Sequence, residues 1–278
     1  MTGACALSVS DSPQSRVAQG VTVEIGGIPI LLESGDSEFC RMAEERYAGF
    51  MSARAEPACR LKMDVRAPAA PSDEDARVWR DGRLWRLERG DFRAEWDPES
   101  RSGFVRQSRN PYALDTLLRL VHSLVLAEEG GFLLHAASAV RFGRAFLFAG
   151  ISGAGKTTIA RLAPPDAEVL TDEISYVRPS LDGYRAYGTP FAGELARVGT
   201  NVSAPVATLF LLEKSAENRV ESVEKLAAAR ALLRNILFFA HEEEMVKRVF
   251  DTALEFVSRV PVARLAFAPD ARVWERIR

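Results

Sequence analysis

The sequence predicts an α/β protein: a mixed-sheet core built around a phosphate-binding loop, preceded by a smaller α+β region. Three observations carry that expectation. Gly150-Ile-Ser-Gly-Ala-Gly-Lys156-Thr157-Thr158 matches G-x-x-x-x-G-K-[ST] and follows Ala145-Phe-Leu-Phe-Ala149, an apolar run of strand type. Only Arg141-Phe142-Gly143-Arg144 separates that strand from the apolar run before it, so the two should form an antiparallel hairpin, with no room for a crossover helix. Upstream, residues 77–109 alternate strand-like runs with the turn pairs Asp81-Gly82 and Gly90-Asp91, the pattern of a meander.

Taken in order, residues 1–20 hold no basic stretch followed by an apolar one, and they read as a disordered polar tail. Val21-Thr-Val-Glu-Ile25 and Ile28-Pro-Ile-Leu-Leu32 flank Gly26-Gly27, a two-residue hairpin turn. Residues 36–50 are expected to be helical, with Phe39, Met42, Tyr47 and Phe50 near a 3.6 repeat and Ser37 as the cap. A strand over 60–66, a Pro/Ala-rich loop over 67–75 and meander strands over 78–80, 83–89, 92–97 and 104–107 follow. Asn110-Pro111 opens a helix to about Glu129, with Leu114, Leu117, Leu118, Val121 and Val125 as its stripe, and Gly130-Gly131 stops it. This divides the chain into an α+β region over 21–110, a candidate partner-recognition element, and a nucleotide-binding region over 111–278. In the latter, the helix from Thr157 must end before Pro164-Pro165, and Glu168-Val-Leu-Thr-Asp172-Glu173 reads as a strand ending in two carboxylates. An apolar strand over 206–212, helices over about 223–240 and 242–260, a strand over 262–267 and a short helix around Trp274 complete the expectation.

Composition narrows the partners. With 36 basic against 38 acidic residues in 278, bulk charge calls for neither nucleic acid nor a membrane surface. Arginines interleave with Trp79, Trp85 and Trp96 in the meander, a pattern that single-strand nucleic-acid platforms share. Acidic residues dilute those arginines, so a half-buried sheet with a solvated charged face is the reading adopted. Cys5, Cys40 and Cys59 lack metal-site or disulfide spacing, and no run approaches the ~20 apolar residues of a membrane span. A reduced, cytoplasmic protein is the expectation.

The loop carries the chemistry. Glycines let consecutive backbone N–H groups turn inward around phosphate oxygens, so Gly150, Ser152, Gly153, Ala154, Gly155, Lys156, Thr157 and Thr158 are the candidate nucleotide-binding residues. Lys156 supplies a point charge for the β and γ phosphates, and the Thr157 hydroxyl is placed for Mg²⁺, so a nucleoside triphosphate and Mg²⁺ are the expected ligands, with ATP and GTP both open because no base-reading motif is identifiable. Asp172 and Glu173 follow the loop closely enough to reach it. If Phe142-Gly143 form the hairpin turn, the register puts His135 opposite Gly150, at the loop's mouth. The turn-rich stretch 189–194, with Gly193, Glu194 and then Arg197, could close over the substrate or the γ phosphate.

His135, the loop 150–158 and the Asp172-Glu173 pair together resemble the catalytic domain of HPr kinase/phosphorylase, whose nucleotide-binding core is shared with phosphoenolpyruvate carboxykinase. The resemblance spans residues 133–177. It implies a mixed-sheet core of that type and an ATP-dependent kinase acting on a hydroxyl, a serine of a protein or peptide. It also implies Asp172 as general base, Glu173 with Thr157 on the metal, His135 on the substrate or metal side, and a homo-oligomer. The family's Glu-x-Arg-Gly stretch has no counterpart here, and Glu173 stands where the family usually has Asp. Two other functions compete: a nucleotide-binding regulatory module without transfer, and carboxykinase-like chemistry on a small acid, for which the chain looks too short.

Overall fold

The computed structural model describes residues 19–67, 74–195 and 198–278. Most of the expected tail over 1–20, most of the loop over 67–75, and Arg197 lie outside the described residues.

Strands β1 (Gln19–Ile25) and β2 (Ile28–Ser34) form the expected hairpin. Gly26 and Gly27 have φ of 62° and 75°, the doubly left-handed turn that matches strand twist. Helix α1 (Ser37–Arg46) is capped by Asp36, not by Ser37 as the sequence suggested. The Asp36 Oδ1 accepts from Phe39 N at 2.9 Å, and the same carboxylate pairs with Arg109. The helix stops short of residue 50 because Tyr47 leaves helical geometry and donates its hydroxyl to Asp115 at 2.6 Å. Strands β3 (Cys59–Arg66), β4 (Arg77–Asp81), β5 (Leu84–Arg89), β6 (Phe92–Asp97) and β7 (Ser102–Ser108) complete a seven-stranded sheet of order β1-β2-β3-β7-β6-β5-β4. Its β2–β3 and β3–β7 pairs are parallel, and the rest antiparallel. Trp85 and Trp96 face each other across β5–β6 and are fully buried, while Arg77, Arg86 and Arg106 pair with Glu88, Asp81 and Asp64.

Helix α2 (Pro111–Glu128) starts as expected, with Asn110 accepting from Tyr112 N at 3.0 Å and proline in the first turn. It is buried on nearly every side, the signature of a core helix. The second sheet explains why. It comprises β8 (Phe132–Arg141), β9 (Arg144–Ala149), β10 (Ala167–Thr171), β11 (Ile174–Ser180), β12 (Gly183–Tyr187), β13 (Ser203–Lys214), β14 (Arg219–Ser222), β15 (Ile236–Leu237) and β16 (Val262–Phe267). Helices α3 (Lys156–Arg161), α4 (Lys225–Leu233) and α5 (Glu243–Arg259) belong to the same half of the chain. Helix α2 packs against α1 and β6 on one side and against β8 and α5 on the other. One apolar cluster therefore runs from Trp85 and Trp96 through Leu117 and Leu124 to Leu133, Ile174 and Phe191. The join near residue 110 is a continuous core, and the protein is mixed α/β with two mixed sheets.

Strand β8 organises the second sheet, pairing with β9, β10, β11 and β15. The β8–β9 register is the expected one: Arg141 opposes Arg144 and Ala136 opposes Ala149 around a left-handed Phe142-Gly143 turn. The helix expected over 223–240 instead ends at Leu233. Asn235 turns the chain: its side chain donates to Ala231 O at 2.8 Å and its carbonyl accepts from His135 N at 2.7 Å. Ile236 and Leu237 then pair with Leu134 and Leu133. The terminal segment is a 3₁₀ helix, Ala271–Arg276, whose Trp274 donates to Ile159 O at 3.2 Å beneath α3.

A titratable core pair links α2 to β11. His122 is fully buried, with Nδ1 2.9 Å from the Tyr176 hydroxyl. Burial, aided by the Arg178 charge, pushes its imidazole down to about 3. The unfolded chain takes up that proton near 6.5 while the folded one does not, so the contribution is complete above about pH 6.5 and fades as pH falls toward 3. Its slope is at most about 1.4 kcal/mol per pH unit. Melting curves of the wild type and His122→Gln between pH 7 and 4 should show a flatter decline in the variant; parallel declines would contradict the assignment.

Candidate functional site

The loop sits where parallel strands end. Strands β9 and β13 pair in parallel, Leu211 opposite Ala149, and β16 lies parallel on the far side of β13. Their carboxyl ends open on one side of the sheet, the usual ligand-binding edge of such an arrangement. Gly150 leaves β9, and a Cβ there would fall 2.7 Å from that of Ala154. Gly155 caps α3 at φ 109°, with a Cβ site 2.6 Å from the Phe267 ring. Two independent reasons therefore demand glycine at 155. Gly155→Ala should cost on the order of 1–3 kcal/mol, roughly 2–9 °C in Tm for a chain of this size. Gly82→Ala, at φ 62° with nothing near its Cβ, should cost less. Equal melting temperatures for the two variants would refute the packing argument.

The loop and the acidic turn meet across a cleft of about 440 Å³. Among the predicted residues, His135, Ser152, Gly153, Gly155, Lys156, Thr157, Thr158, Asp172, Glu173, Gly193 and Glu194 line it. Gly150 and Ala154 do not. The former supplies a carbonyl to Lys156, and the latter is buried in the core behind the loop. Arg197 lies outside the described residues.

Lys156 is nearly buried, its ammonium donating to Gly150 O at 2.9 Å and Ile151 O at 3.3 Å. Burial lowers its pKa, while the charges of Glu173 and Glu194 oppose that shift. Asp172 is buried in the bend between β10 and β11. Its Oδ1 accepts from Gly193 N at 3.1 Å and its Oδ2 from Leu195 N at 2.9 Å. This tie draws residues 192–195 over the loop as a strap. Gly193 suits that approach, since a Cβ there would lie 2.8 Å from both Asp172 Oδ2 and Glu173 Cβ. Glu194 then reaches Thr157, whose hydroxyl donates to its Oε2 at 3.1 Å. Glu173 is held by Thr171, whose hydroxyl oxygen accepts from Glu173 N and Ile174 N, each at 3.2 Å. Burial raises the Glu173 pKa, Asp172 and Glu194 add to the rise, and Arg119 and Lys156 oppose it.

His135 is half-buried at the cleft wall, its pKa lowered by burial and by Lys156. Two cations escaped the sequence reading. Lys214 ends β13 and lines the cleft, a placement that follows once β13 is known to run parallel to β9. Arg119 comes from α2 and lies over the Phe191 ring, 4.9 Å from its centroid. No local motif marks it, because it belongs to the layer beneath.

Among the described residues, no group of three or more His, Cys, Asp or Glu side chains could hold a metal by itself. Mg²⁺ is held by one or two carboxylates and completes its shell with phosphate oxygens and water. Thr157, Glu173 and Glu194, which line the cleft, are the groups that could hold such an ion. The glycine cradle, with Lys156 and Lys214 at its mouth, likewise suits a polyphosphate.

The architecture is mixed α/β, with two mixed sheets and the glycine-rich loop over residues 150–158 at the carboxyl end of β9. A family model described as SynChlorMet cassette protein ScmC matches residues 112–278, more than half of the chain, and the chain belongs to that family. This corrects the resemblance to HPr kinase/phosphorylase, a different family. The residues that suggested it are a phosphate loop, a nearby acidic pair and a histidine. Any protein handling a magnesium-bound polyphosphate can need such groups, so they do not report ancestry. No curated protein matches the chain.

Proposed function

We propose that the protein is an ATP- and magnesium-dependent phosphotransferase acting on a hydroxyl, a serine of a protein or peptide. One observation carries the reading: Lys156, Thr157, Asp172 and Glu173 converge on a single cleft under the strap over residues 192–195. In this reading the loop backbone and Lys156 hold the β and γ phosphates, with Lys214 adding charge at the rim. Thr157, Glu173 and Glu194 hold Mg²⁺, which neutralises phosphate charge when bound. Asp172 receives the acceptor's hydroxyl proton, and the strap it anchors shields the reacting groups from water. His135, kept neutral by burial and by Lys156, orients substrate from the cleft wall. A cytoplasmic location belongs to the same reading. Among the described residues, no helix is long and apolar enough to cross a membrane.

A second reading, a nucleotide-binding regulatory module, draws on the same strap. Both Asp172 oxygens already accept backbone amides, so nucleotide could move the strap without any transfer. Incubation with γ-labelled ATP, Mg²⁺ and proteins of the source cell separates the two. Label in an acid-stable phosphoester supports transfer. Release of inorganic phosphate alone, with altered strap mobility, supports the module.

A further inference from the structure

Arg119 carries a charge that packing alone does not require. It stands on α2, the core helix between the two sheets, and is partly buried. Asp115, one turn earlier, is its natural partner by helical spacing. That carboxylate is already taken, by Arg46 at 2.5 Å and by the Tyr47 hydroxyl at 2.6 Å. Arg119 makes no hydrogen bond or ion pair with any described residue, and its Nε is buried without a partner. Holding a guanidinium in this way is costly, and a methionine would fill much the same space without that cost.

The guanidinium does two things there. It lies over the Phe191 ring, 4.9 Å from the centroid, and it is the foremost charge acting on Glu173. Phe191 is the root of the strap. It is fully buried in the apolar cluster around α2, while the next residue, Ala192, already lines the cleft. Two residues before it, Thr189 is tied to the second sheet, its hydroxyl donating to Ile174 O at 2.9 Å. Two residues after it, the strap meets Asp172, and one residue further Glu194 reaches Thr157. The point where the chain leaves the core at Phe191 therefore sets where Glu194 arrives over the loop.

We propose that Arg119 is a positioning residue of the nucleotide cleft: its guanidinium clamps Phe191 and so fixes the strap that brings Glu194 to Thr157. Arg119 is not among the residues that line the cleft, so it acts through the strap. A cation over an aromatic face contributes most where both groups are withdrawn from water, as the buried Phe191 ring is here. The inference rests on the phosphotransferase reading for its kinetic signs, whereas the clamp itself is a property of the strap and can be measured without any transfer.

The test uses the full chain. Arg119→Met keeps an unbranched stem and removes the charge, so its Tm should equal or exceed that of the wild type. Hydrogen exchange at the Gly193 and Leu195 amides should nonetheless be at least about tenfold faster, because a desolvated cation–π contact no longer opposes local opening. In transfer from MgATP to proteins of the source cell, KM for MgATP should rise about tenfold while kcat stays within about twofold, the split expected when only positioning is lost. Arg119→Lys, which restores a cation, should return exchange and KM to within about threefold of the wild type. Arg119→Gln takes the place of Arg119→Met if that variant does not fold. Exchange and KM both within about twofold of the wild type in a folded, uncharged variant overturn the proposal. So does a lower Tm with exchange accelerated evenly through α2 and the first sheet, which would make Arg119 a packing residue. Absence of transfer by the wild type removes the phosphotransferase reading, and the exchange measurement then decides the clamp by itself.

Discussion

Lys156→Ala should raise the MgATP dissociation constant by about 100-fold and abolish measurable turnover. The ammonium is nearly buried, sits within the loop and donates to two of its carbonyls, so it is already positioned against any phosphate bound there. Charge-assisted hydrogen bonds of this kind contribute about 1.5–3 kcal/mol each, and 1.4 kcal/mol is a factor of ten in affinity. Lys214, exposed at the rim, cannot replace it from the end of β13. Calorimetric titration with MgATP measures the effect directly. An affinity within threefold of the wild type would mean that the loop does not hold the polyphosphate.

Asp172→Asn should reduce acceptor phosphorylation by about 10²–10⁴, the usual worth of a positioned general base. The same substitution should loosen the strap. An amide offers one acceptor oxygen and one donor NH₂, so either Gly193 N–H or Leu195 N–H would face a donor. Faster hydrogen exchange at one of those two amides is the expected sign. The two roles separate kinetically. Loss of the base lowers kcat, whereas loss of the strap alone raises KM and leaves kcat near its original value. A variant with the second profile would remove Asp172 from the chemistry and leave it as an anchor.

What the sequence revealed, and what it hid, follows the range of the forces involved. The β8–β9 register was legible because a two-residue turn sets pairing locally, and the strand–loop–helix run around Gly155 because glycine is required at its left-handed positions. The Asp36 cap was misplaced by one residue because neighbouring Asp and Ser both cap well. The helix over 223–240 was overdrawn because its break answers a distant need: the backbone of β8 takes Asn235, Ile236 and Leu237 as partners. Most of the site's residue types were legible, but their connections were not. That Glu194 lands on Thr157, that both Asp172 oxygens tie the strap, and that Arg119 lies over the Phe191 ring are consequences of tertiary packing. Family membership was misread for a related reason, since a shared local chemistry was taken for shared descent.

The central claim is that the cleft transfers a phosphoryl group, and the fate of the γ phosphate tests it most directly. Phosphorus NMR of the purified protein with MgATP and proteins of the source cell as acceptors would follow every phosphorus-containing species at once. The account predicts a phosphomonoester resonance growing in step with ADP, absent with Lys156→Ala. Growth of inorganic phosphate alone, or unchanged ATP, would contradict it.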